Sequence, residues 1–246
     1  MFGMLRVKPP HGWNPVLWEL GIVTLGVLIA LGAQQLVEEW SWQSKARRAV
    51  TALRSELSLQ YSMAAEAVVT APCVDRQLEL LENRLVSSTN AGLPAPLYSD
   101  DARNHFVFRA PSRPWPADVW NSIVTEGVAS HLDGALRGLL RDQYAQIEIM
   151  RENNRQTDPI GWRLNMLAKP VLLDSATKAR MIETIEDERG HFDYLALVGR
   201  QITGRVRDMK LLPPTKVASD YLANSGTIKF CRAHGLPLAS MDSKAR

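Results

Sequence analysis

Residues 20–33 read LGIVTLGVLIALGA, a run without a charge in which Thr24 is the only polar side chain. Val16, Leu17 and Trp18 extend it backward across Glu19, and Leu36 and Val37 extend it past Gln34 and Gln35. A helix needs roughly 20 apolar residues, rising 1.5 Å each, to cross the hydrocarbon of a bilayer. Asn14 and Pro15 supply an N-cap followed by a proline at the first helical position. The sequence therefore predicts a transmembrane anchor over residues 15–39, after an N-terminal tail of residues 1–14.

The tryptophans sharpen this reading. Trp13 and Trp18 precede the run, and Trp40 and Trp42 follow it. Along a helix, Trp18 and Trp40 stand about 33 Å apart, close to the hydrocarbon thickness. These four residues are the candidate membrane-interface anchors, because indole rings settle at headgroup level. The lipid bilayer is thus the first expected partner. Two rival readings use the same run. A cleavable signal peptide would end at the small residues around Ala30 and Gly32, and a soluble protein could bury the helix. The long Pro- and Trp-containing flank before the run and the helical character of QQLVEEWSW after it favour the anchor.

Glu19 reads as a carboxylate reaching into the headgroups. Gly26 and Ala30 form a small-xxx-small pair, the helix-packing candidates for a membrane-protein partner or a second copy of the chain. Lys and Arg nearly balance across the run: Arg6 and Lys8 before it; Lys45, Arg47 and Arg48 after it. The short tail and long following domain favour insertion with the N-terminus inside. Residues from about 40 onward are then expected outside the cytoplasm, in the periplasm of a bacterium.

Only one span is expected, since mean hydropathy over the chain is −0.15. With 46% hydrophobic residues, the remainder can bury a core, which excludes wholesale disorder. Two cysteines exclude a disulfide-rich scaffold and a four-thiolate zinc site.

Beyond the run, Ala46, Val50, Leu53, Leu57, Tyr61, Ala64 and Val68 recur every three or four residues, with Arg47, Arg48, Arg54, Ser55 and Ser58 off the stripe. This predicts a long stalk helix continuing the anchor to about Thr70. Pro72 is expected to break or kink it, with Val74, Leu78, Leu81 and Leu85 forming a second helix. Residues 88–116 are Pro- and turn-rich and read as an ordered loop. The strand-like HFVF at 105–108 has no evident partner. Helices resume near Pro116. A capping-box-like start at Ser130 and Asp133 opens a longer one. Asp158 and Pro159 open a short helix ended by Pro170. Asp174 and Ser175 open the last long helix, ended by Pro213 and Pro214. Val217, Tyr221 and Leu222 suggest one more. The expected fold class is all-α: an N-terminal transmembrane helix continuing into a long stalk helix, then a helical bundle. The helical domain spans residues 40–235, and residues 236–246 form a frayed basic tail.

The chemistry-bearing patterns are sparse. Cys73 and Cys231 are a disulfide candidate in an exported domain, tying the C-terminal segment to the junction near Pro72. Glu188 and His191 form a lone ExxH, whereas a di-iron bundle needs two such motifs and two further glutamates. It reads as a surface or interhelical hydrogen bond. No GxSxG and no phosphate-binding glycine pattern occurs. Residues 201–246 carry eight Lys or Arg against three Asp or Glu. These charges are dispersed, without a nucleic-acid motif, so no nucleic-acid partner is expected. No catalytic, cofactor-binding or metal-ligating residue is assigned, and no cofactor.

The segments WELGIVTLGVLIALGAQQLVEEWSW, APCVDRQLELLE, PSRPWPADVWNSIVTEGVASHL and FCRAHGLPL, in that order, resemble uncharacterised membrane-anchored helical proteins of proteobacteria. The resemblance covers most of the chain. It implies an inner-membrane location and brings no activity, cofactor or catalytic residue. The leading expectation is a non-enzymatic single-pass protein with an interaction or scaffolding domain. The alternative is a tethered ligand-binding or sensing domain with a cavity near Trp115, Trp120 and Trp162.

Overall fold

The computed structural model describes residues 13–88, 107–169, 172–211 and 214–240. All regular structure among them is helical: α1 (Trp13–Ser87), α2 (Asp118–Thr125), α3 (Gly134–Leu164), α4 (Ser175–Asp208), α5 (Pro214–Asn224) and α6 (Gly226–Ala233), with 3-10 turns at Val128–His131 and Asn165–Ala168. The all-α architecture is as the periodicity predicts, and no strand occurs at Val107 and Phe108.

One helix organises the rest. At 1.5 Å per residue α1 is about 110 Å long. Its first part contains an 18-residue window of mean hydropathy 2.1, long and apolar enough to cross a membrane, of which none is buried. Further along, residues 60–67 are buried on every side of the helix. Two long helices pack against this part. α4 runs antiparallel to it: Lys178 Nζ donates to Ser88 O, Arg189 reaches Asp75 and Glu82, and Gly199 lies against Ala64 and Val68. α3 runs antiparallel to α4, joined by Asn153 to His191 and by Arg205 Nη1 to the Asp142 carbonyl. One apolar core gathers Leu53, Leu57, Ile147, Met150, Ile202 and their neighbours. A second, around Leu78, Leu85, Leu164 and Ile185, fills the far end.

Pro72 does not end the helix; α1 runs through it. A proline in a helix interior removes an N–H and loosens the neighbouring bonds. Here the Ala239 N–H, at 2.9 Å from Val69 O, supplies a donor to a carbonyl three residues before the proline. Residues 236–240 are therefore docked rather than frayed; the rest of the expected tail, 241–246, lies outside the described residues. Pro159 likewise lies inside α3 instead of opening a new helix. The turns after it carry Gly161 against Glu188 and Phe108, and Leu164 into the second core, so packing on both sides of the proline outweighs the lost bond.

The caps divide similarly. Asp174 accepts from Thr177 N as the N-cap of α4, as expected. Asp133 alone caps α3, accepting from Ala135 N and Leu136 N. Ser130 Oγ instead donates to Gly127 O, so no capping box forms. Residues 214–233 hold two helices where the sequence suggests one, because Ser225 starts α6 by accepting from Ile228 N. Of the Pro-rich loop, residues 89–106 lie outside the described residues.

The α1–α4 contact depends on a missing side chain. A Cβ at Gly199 would stand 2.9 Å from Ala64 O and 3.2 Å from Val68 Cγ2. Gly199→Val is expected to lower stability by about 2–3 kcal/mol through overpacking. Gly204→Ala, where nothing lies within 4 Å, should raise it by up to about 1 kcal/mol through helix propensity. Thermal denaturation of the two variants checks both signs.

Candidate functional site

The most elaborate chemistry lies on the buried face of α1, where four polar side chains hold the segment 107–120. Gln77 pairs with both backbone groups of one residue: its Nε2 donates to Arg109 O at 3.0 Å, and Arg109 N donates to its Oε1 at 2.7 Å. Gln60 Nε2 donates to Pro116 O at 2.7 Å, and Gln143 Nε2 donates to Gln60 Oε1 at 3.1 Å. Glu56 accepts from Val119 N at 2.9 Å, from Trp120 N at 3.4 Å and from the Tyr144 hydroxyl. α2 has no capping side chain of its own at Ala117. Glu56 therefore acts as its N-cap from another helix, a carboxylate satisfying orphan N–H groups at the positive end of the helix dipole.

Glu66 stands at the centre, 0% exposed. Arg113 grips it with two parallel bonds, Nε to Oε2 at 2.6 Å and Nη2 to Oε1 at 2.7 Å. The Ser225 hydroxyl donates to the same carboxylate while capping α6. The pair with Glu66 raises the Arg113 guanidinium pKa, and burial followed by Glu66 raises that of the Tyr221 phenol beside it. Arg113 O and Trp115 O are held in turn by Asn154 at 2.6 Å and Arg151 at 2.8 Å on α3. These bonds pin Trp115 at φ 32°, a left-handed value that a bulky residue adopts only when its surroundings impose it.

Cys73 and Cys231 are joined, with Cα atoms 6.1 Å apart across 158 residues of sequence. The link ties α6 to α1 one residue beyond Pro72. In the chain-entropy model a loop this long contributes about 5 kcal/mol.

The remaining candidates separate. Trp18 and Trp40 are exposed, at 73% and 77%. Trp42 is instead covered by the folded body: its ring stacks on His131 with centroids 4.3 Å apart, and Lys45 Nζ lies 4.2 Å from its centroid. The Trp13 side chain lies outside the described residues. Gly26 and Ala30 are exposed, and nothing in the described chain approaches within 4 Å of a Cβ at Gly26. His191 Nδ1 pairs with Asn153 Oδ1 at 3.1 Å, the interhelical bond expected of the lone ExxH. Among the described residues no group of three His, Cys, Asp or Glu is placed to hold a metal ion. Trp115 and Trp120 pack into the core, Trp120 on Tyr144, while Trp162 stands 66% exposed.

Sequence reasoning missed Glu56, Gln60, Glu66, Gln77 and Arg113. Their signal is a carboxylate or amide interrupting an otherwise Ala- and Leu-rich helix. The partners lie in a loop whose pairing no periodicity encodes. Compared with family models, curated proteins and solved structures, the chain has no match.

Two outcomes follow. Arg113→Ala leaves Glu66 buried without its counter-charge and is expected to cost about 3–5 kcal/mol. The double variant Glu66→Met, Arg113→Met should cost less than that single change, read by urea denaturation. Burial first, and then the bond to Glu56, raise the Tyr144 phenol pKa above its usual 10.0. A raised folded pKa gives stability that is full below the unfolded value and lost as pH rises past it. Stability should thus fall above about pH 10. Tyr144→Phe should shrink that alkaline loss, while costing about 1–3 kcal/mol at neutral pH by removing a donor from Glu56; melting curves across pH test it.

Proposed function

We propose that the chain is a single-pass inner-membrane protein whose helical body stands on the extracytoplasmic side and serves as an interaction or scaffolding domain. One observation carries this reading: the exposed apolar part of α1 and the buried axle of the bundle are one unbroken helix. Exposed indoles at Trp18 and Trp40 suit the two interfaces. A disulfide suits an oxidising compartment. The polar side chains held inside the body make bonds within the chain, and so act as fasteners of a rigid shape.

The reading has a direct test. Alkaline phosphatase fused at the C-terminus is expected to be active, and a fluorescent protein that matures only in the cytoplasm should stay dark there. In the same cells Cys73 and Cys231 should resist alkylation until reduced. The opposite reporter pattern, or two freely alkylated thiols, defeats the extracytoplasmic assignment. Crosslinking followed by affinity purification tests the scaffold role, and a strictly monomeric particle without an enriched partner defeats it.

A further inference from the structure

The polar end of the apolar helix segment carries a groove that the anchoring role leaves unused. It holds about 470 Å³. Gly32, Gln35 and Leu36 form its floor on α1, with Glu38, Glu39 and Trp42 further along and His131 overhanging from the 3-10 turn. Positions 32, 35, 36, 39 and 42 share one helix face, about 15 Å long from Gly32 to Trp42. Polarity is graded along that face. The floor is small and apolar with one amide, and the far end holds two carboxylates, an indole and an imidazole.

We infer that this groove is a binding site for a zwitterionic phospholipid bearing a primary ammonium, which lies parallel to α1 with its headgroup at Glu38 and Glu39. The inference rests on the membrane reading of α1. On that reading the graded lining follows the bilayer normal, so hydrocarbon meets the floor and headgroup meets the carboxylates. The carboxylates select the headgroup. Both are exposed, and Glu39 Oε1 accepts only a neutral amide, from Gln43 Nε2 at 3.1 Å. A primary ammonium offers three donors to such oxygens. A headgroup with a phosphate and no amine would set like charge against like. A quaternary ammonium is normally caged by open aromatic faces. Here the ring of Trp42 is already stacked by His131 and approached by Lys45.

The full chain, reconstituted into vesicles of equal parts phosphatidylethanolamine, phosphatidylcholine and phosphatidylglycerol, tests this. Flotation of the vesicles reads anchoring. Native mass spectrometry after mild detergent extraction reads the retained lipid. Wild type is expected to retain phosphatidylethanolamine about tenfold over either other lipid, the scale of one charge-assisted contact. The double variant E38Q/E39Q should float equally well and retain all three alike. Each single variant, E38Q and E39Q, should fall between. Equal retention by wild type, a preference for either other lipid, or a preference that survives in E38Q/E39Q overturns the site while leaving the anchor standing. Failure of wild type to float overturns both.

Discussion

A carboxylate sealed inside a helical protein must have its charge answered on the spot, and Glu66 imposes that condition on nearly everything around it. A buried ion pair gains little over well-packed apolar residues, but losing one partner costs about 3–5 kcal/mol. That is a large share of the 5–15 kcal/mol separating folded from unfolded chains. The answer to Glu66 comes from two places at once. Arg113 arrives from the segment before α2, and Ser225 from the start of α6. Two parts of the chain that share no periodicity are thereby fixed to one point on α1.

The segment carrying Arg113 fits because two different rises nearly match. Gln77 and Gln60 stand about 25 Å apart along α1 at 1.5 Å per residue. Their partners Arg109 and Pro116 stand at most about 22 Å apart at the 3.1 Å rise of an extended, Pro-rich chain, and the turn at Trp115, φ 32°, shortens that span. The side chains of the two glutamines cover the difference. The segment APSRPWP is thus a strap laid antiparallel to the helix, with the carbonyls of Arg113, Trp115 and Pro116 held by Asn154, Arg151 and Gln60 rather than by a strand. Proline suits this role because it lacks an N–H that would otherwise need a partner on a helix surface.

What the sequence makes legible is what local chemistry encodes. The apolar run, the stripe through Leu53 and Leu57, the cap at Asp174 and the pairing of the only two cysteines can each be read from neighbouring residues or from counting. What it conceals is settled by distant partners. Pro72 and Pro159 carry a local preference for ending a helix. At Pro72 that preference yields where cores on both sides, a disulfide one residue on and a donor from Ala239 hold the axis, and at Pro159 where Gly161 and Leu164 pack on the turns that follow. Glu56 and Glu66 look like ordinary surface carboxylates until the strap and α6 arrive. Trp42 looks like its neighbour Trp40, yet His131, far away in sequence, covers one and not the other.

That difference between Trp40 and Trp42 bears on how the body sits relative to the apolar segment. Two residues of helix advance only about 3 Å, so exposed helix gives way to packed helix within a single turn. Residues 41–56 contain neither glycine nor proline, and a straight helix without such residues bends little. The one proline in the helical part beyond them, Pro72, lies about 48 Å past Trp40 along the axis. There the disulfide and both cores brace it. A weak point near residue 45 would let the body tilt freely on the apolar segment. The same weak point at residue 72 is enclosed by the bundle it could otherwise disrupt. The helix therefore carries no glycine or proline where its exposed apolar part meets the packed body, and its interior proline sits where the disulfide and both cores hold the axis.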